Sequence, residues 1–198
     1  MRSTLVSLSA ALMSLSLLLA GCGQPPSRTS QPLPRLLVDD SVAGDFDVLA
    51  QATWQQFLAL FRARAGCFGD VHLHATQQLA SRAMYEPKTA TVTVRVPGTP
   101  AMLQSALIHE WAHHIEFSCP AQKEMRPAFL AAQGLRPDTL WRPDDTPANT
   151  PESAWANIPS EQYAEATIEV VLGSRPIPTT AQVSPEAVRV ISQWAAGH

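Results

Sequence analysis

The chain has 198 residues, 45% of them apolar and 16% charged, with a formal charge of -3. That length bounds it to one domain of ordinary size, and the apolar content excludes a disordered chain. Its 14 Lys and Arg residues are spread without a basic cluster, which argues against nucleic acid as a partner, and no fixed-period repeat points to a coiled coil or solenoid.

Residues 1–21 carry one charge, Arg2, followed by an uncharged run from Leu5 to Ala20 rich in Leu, Ala and Ser. This is a signal-peptide pattern, too short and too rich in serine for a membrane span. The run ends in Leu19-Ala20-Gly21-Cys22, which resembles the lipobox of bacterial lipoproteins. The resemblance implies cleavage before Cys22, lipid on that cysteine and attachment to the extracytoplasmic side of a membrane; a plain secretory signal is the alternative. After Cys22, residues 23–35 are mostly Gly, Pro, Ser, Gln and Thr without apolar periodicity and read as a tether, so the folded domain is expected over 36–198. With Cys22 taken by lipid, Cys67 and Cys119 remain as a pair in a compartment that permits oxidation. A disulfide between them would disfavour the unfolded chain by about 4 kcal/mol in the chain-entropy treatment.

Phe46, Leu49, Ala50, Thr53, Phe57, Leu60 and Phe61 recur at helical spacing, with Gly66 beyond them as a stop. Val71-His72-Leu73-His74 alternates briefly, and Thr91 to Val96 alternates clearly before Pro97-Gly98, so strands are expected at both. The His72 and His74 pair is expected on the surface, since two histidines alone make a poor metal site. Thr99-Pro100 supplies an N-cap and a first-turn proline for a helix from Ala101 to Phe117 that is apolar around much of its circumference. Such a helix belongs in the centre of the domain, and its polar residues need a reason. A proline-rich connection with a short helix near 126–133 leads to a helix from Ser160 to Leu172, and Ser184-Pro185 opens the last one.

On the central helix stands Ile108-His109-Glu110-Trp111-Ala112-His113-His114. Histidines at i and i+4 lie about 40° apart around the axis and about 6 Å along it, so both imidazoles can reach one tetrahedral ion. Glu110, about 100° around from His109, stands beside such an ion and is suited to take a proton from water. The pattern is HExxH. Gly and His would be needed at 116 and 119 for a metzincin, and the chain has Glu116 and Cys119, which excludes that class.

Downstream, Ser160-Glu161-Gln162-Tyr163-Ala164-Glu165-Ala166 repeats the i, i+4 spacing with two acids. The two motifs together resemble the gluzincin metallopeptidases, whose second helix carries Glu-x-x-Ala-Glu. The resemblance implies that Glu161 is the third metal ligand beside His109 and His113, and that Glu165 steadies His109. Rival third ligands are Glu165 itself, Asp144, Asp145 and Glu152. The same resemblance makes the 91–96 strand the edge that pairs with a peptide substrate. Residues 151–160 hold no Tyr or His to stabilise an oxyanion, which leaves Tyr85 and His114 as candidates, His114 being the more readily explained as a structural imidazole.

The expectation is therefore an α+β, zincin-like domain: a small mixed sheet, an active-site helix and a mostly helical C-terminal part. Its expected activity is Zn2+-dependent hydrolysis of peptide bonds by a membrane-anchored monomer with Glu110 as catalytic base. The alternative is a zinc-binding lipoprotein whose site serves binding or structure.

Overall fold

The computed structural model describes residues 32–143 and 152–198. The expected signal segment, Cys22, most of the tether, Asp144 and Asp145 lie outside the described residues. Among the described residues no helix is long and apolar enough to cross a membrane.

The domain is mixed α and β. Four short strands form one sheet: β1 (Leu36–Val38), β2 (Val71–Thr76), β3 (Ala83–Glu86) and β4 (Thr91–Arg95), in the order β1-β2-β4-β3. β1, β2 and β4 run parallel and β3 is antiparallel to β4, with Tyr85 opposite Val92 and Met84 opposite Thr93. Period-2 alternation buries Val71, Leu73, Val92 and Val94 on the face turned to the helices. Chain packing begins before β1, since the Pro34 carbonyl accepts a hydrogen bond from Trp54 Nε1 and Arg35 pairs with Asp70.

Among the described residues six helices accompany the sheet: α1 (Gly44–Leu60), α2 (Pro100–Ser118), α3 (Gln122–Ala132), α4 (Glu152–Trp155), α5 (Pro159–Leu172) and α6 (Pro185–Ala195). α2 lies in the middle, packed on α1 and α5 and across β3 and β4. Thr99 caps it by accepting from Met102 N at 3.3 Å, and its Leu107, Trp111 and Ile115 are wholly buried. Trp111 meets Trp54 and Phe57 of α1 edge-on, with ring centroids 4.9 and 5.5 Å apart. α5 stops at Gly173, whose φ of 75° is the left-handed conformation that glycine adopts without strain.

Cys119, the residue after α2, is bonded to Cys67 with Cα atoms 4.8 Å apart. Where α1 ends, a 3-10 turn (Arg62–Cys67) carries the chain to that bridge.

One expectation is corrected by the topology. The valine-rich 91–95 strand is interior, and the edge beside α2 is β3, which the sequence pattern did not announce. An edge strand needs only one paired side and little apolar surface. Ala83, Met84, Tyr85 and Glu86 alternate between partly and fully exposed, so they lack the buried stripe that marks a strand in sequence.

Candidate metal centre

α2 and α5 pack against each other and bury ionisable groups where they meet. On α2 these are His109, Glu110, His113 and Glu116; on α5 they are Glu161 and Glu165; all are below 10% exposed. The i, i+4 spacing on each helix brings 109 with 113 and 161 with 165 onto one face, and the two faces meet.

Each imidazole is held by a carboxylate. His109 Nδ1–H donates to Glu165 Oε1 at 2.9 Å, and His113 Nδ1–H donates to Glu116 Oε2 at 2.9 Å. Those bonds turn both Nε2 atoms, with their lone pairs, into the space between the helices. There they stand 3.2 Å from each other, and Glu161 Oε2 stands 3.1 Å from His109 Nε2 and 3.3 Å from His113 Nε2. Three acceptors this close repel one another unless a proton or a cation lies among them. Tetrahedral bonds of about 2.0 Å put neighbouring ligand atoms about 3.3 Å apart, so the triangle has the size that one small divalent ion requires. His109, His113 and Glu161 form a buried group that could hold a metal ion.

Charge makes the same case. Arg175 pairs with Glu165, and Arg142 pairs with Glu116 at 3.0 Å and with Glu161 at 3.2 Å. The four carboxylates of Glu110, Glu116, Glu161 and Glu165 thus outnumber the guanidinium groups of Arg142 and Arg175 paired with them and of Arg126 near Glu116, an excess of negative charge that a cation would lower. Without one, protons must do so. Burial works against charge on His109 and His113, yet hydrogen bonds to Glu161 and Glu116 and the surrounding carboxylates outweigh it and raise both above their usual range. Burial also opposes ionisation of Glu161, but the two histidines hold it well below the usual carboxylate range. Glu116 is drawn down to about 2 against the same burial penalty by His113 and Arg142.

Glu110 differs from the other three acids. It has no hydrogen-bonding side chain among the described residues, lines the adjoining cleft, and is pushed up by burial despite the neighbouring histidines. The cleft has a volume of about 550 Å³ and runs between β3 and the facing helices α2 and α5. Met84, Met102, Phe117 and Ile168 make much of its wall apolar. Trp155 of α4 closes one side by stacking on His109, with ring centroids 5.5 Å apart and planes 20° from parallel.

Tyr85 lines the cleft, but its hydroxyl donates to His114 Nδ1 at 2.8 Å. His114 in turn gives its Nε2–H to the Gly69 carbonyl at 3.0 Å, and burial lowers its pKa, so it is a neutral imidazole tying α2 to the sheet. His74 is half exposed on β2 beside Asp39, remote in role from the triangle, and His72 lines only a shallow groove next to β1. Among the rival ligands, Glu165 is engaged at the far nitrogen of His109.

Glu116, Arg142 and Arg175 were not picked out from the sequence. Glu116 had a local signal, an acid three residues after His113 on the same helix face. The arginines had none, because they come from irregular segments and meet their partners only through the fold. No protein-family profile, curated protein or solved structure matches the chain.

Proposed function

We propose that this chain is a zinc metallopeptidase of the zincin type, held outside the cytoplasm by lipid on Cys22. The observation that carries the reading is the triangle of His109, His113 and Glu161 ligand atoms with the buried Glu110 carboxylate beside it, opening on a cleft. Two imidazoles and one carboxylate are a ligand set that suits zinc. When bound, zinc supplies Lewis acidity to the scissile carbonyl and to the attacking water.

The chain's own groups do the rest. Glu110 takes the proton of the attacking water and hands it to the leaving amine, and its burial raises its affinity for that proton. Glu116 and Glu165 keep the two histidines in the Nδ1–H tautomer. β3, an edge strand on the cleft wall, offers backbone groups to an extended peptide. The Cys67–Cys119 bond fits an oxidising compartment.

One observation favours the second reading, a zinc site without turnover. Tyr85 spends its hydroxyl proton on His114 and so has no free donor for an oxyanion. The deciding experiment measures zinc content and cleavage of a broad peptide library by the wild type and by Glu110→Gln. The hydrolase reading expects one zinc per chain in both and a loss of cleavage of about 10²–10⁴-fold in the variant. Zinc without cleavage in either protein selects the second reading; unchanged turnover in the variant refutes Glu110 as the base.

A further inference from the structure

We propose that Arg142 is a positioning residue for the metal ligand: its guanidinium occupies one oxygen of Glu161, so that this carboxylate ligates through the other oxygen alone, and grips Glu116 with the same fork. The inference rests on the metal-site reading above and goes beyond its ligand set.

A carboxylate can bind a metal through one oxygen or two, and nothing in the spacing of residues 109, 113 and 161 decides which. The surroundings of Glu161 do. Its Oε2 faces both Nε2 atoms, while Oε1 accepts from Arg142 NH1 at 3.2 Å. The remaining donors of Arg142 go to Glu116: Nε to Oε1 at 3.3 Å and NH2 to Oε2 at 3.0 Å. His113 Nδ1 and Arg142 NH2 converge on that same Oε2, which brings them within 3.0 Å of each other. One planar group therefore links the acid that ligates, on α5, to the acid that orients a ligating histidine, on α2. A guanidinium presents five donors in one rigid plane and can do this; a lysine ammonium, a single point with three donors, cannot span both carboxylates in that way.

Arg142 is itself held from outside the centre. The preceding Trp141 gives its indole N–H to Glu116 Oε1 at 3.0 Å, and its carbonyl accepts from Ser160 N at the start of α5. Its ring packs on Phe129 and Tyr163, and the Arg142 guanidinium lies 5.4 Å over the Phe117 ring. Arg175 provides the contrast, since it pairs with the orienting acid Glu165 and not with the ligand Glu161. The two arginines are alike in charge and unlike in reach.

The test uses cobalt(II) in place of zinc, because its visible bands are intense in four-coordinate sites and weaken when a fifth donor joins. Wild type, Arg142→Ala and Arg142→Lys are loaded with cobalt, their spectra recorded, and their cobalt affinities measured against a chromophoric chelator. Thermal melting of each metal-free protein establishes that it is folded. Wild type is expected to give intense four-coordinate bands. Both variants are expected to show weakened bands as Glu161 Oε1 comes free, with cobalt affinity about 10–100-fold lower for Arg142→Ala. The lysine variant keeps the charge, so weakened bands there assign the effect to the fork and not to electrostatics. If Arg142→Ala does not fold, Arg142→Lys decides. Wild-type bands together with cobalt affinity within about twofold of wild type in the folded variants overturn the inference while leaving the metal site standing. No cobalt uptake by the wild type overturns both.

Discussion

The two sides of α2 are buried by different physics. Toward α1 the helix presents Trp111 to the rings of Trp54 and Phe57, and its Leu107 and Ile115 are wholly buried in the same apolar core, where shape and dispersion do the work. Toward α5 it presents His109, His113 and Glu116, where nearly every polar atom has a charged or hydrogen-bonded neighbour. Truncating a side chain on the first side leaves a hole whose lining stays neutral. On the second side it leaves a partner charged and alone, so the damage should reach metal binding and pH response as well as folding.

The strongest way to break this contrast is Trp111→Ala. Loss of a wholly buried indole should cost about 3–5 kcal/mol of stability in chemical denaturation, while the folded fraction still takes up one metal per chain. A variant that stayed stable but lost its metal would show that the two sides are one cooperative unit.

Next in size is the pH response of the metal-free protein. Glu161 and Glu116 are lowered on folding from an ordinary value of 4.5, so the stability they contribute is complete above that pH and is lost as the pH falls below it. For Glu116, which falls to about 2, the loss amounts to about 3 kcal/mol by pH 2. His109 and His113 are raised on folding from 6.5, so their contribution is complete below 6.5 and is lost as the pH rises through their folded values. Glu110, raised from 4.5 by burial, adds to the alkaline side, so urea melts across pH should find the metal-free protein losing stability both below 4.5 and above 6.5, with the alkaline decline reduced by saturating zinc. A flat profile would mean that these groups are not coupled to folding.

The smallest effect sharpens the comparison. Glu165→Gln keeps an acceptor for His109 Nδ1 but removes the charge facing Arg175. Zinc affinity should fall about 10–100-fold, equivalent to about 1.4–2.7 kcal/mol, in a chelator competition. An unchanged affinity would remove Glu165 from the centre.

What could be read from the sequence was what the helix period carries. Thr99-Pro100, the His109 and His113 pair, and the Glu161 and Glu165 pair are local patterns whose geometry follows from 3.6 residues per turn. That α2 and α5 would bring those pairs together could only be supposed, because it depends on packing between segments 48 to 56 residues apart. Arg142 and Arg175 carry no periodic mark, and β3 hides because its four residues alternate only between partly buried and exposed, with no buried apolar stripe. Glu116 was legible in principle, yet its value in excluding one family pattern hid its use as the anchor of His113.

Trp155 stacks on the imidazole of His109, which gives the molecule an optical property. An excited indole passes an electron readily to a protonated imidazole and far less readily to a neutral one. The emission of this tryptophan, one of five in the chain, is therefore tied to whether the ring beneath it carries a proton, and a cation that displaced that proton would be reported by light without any label.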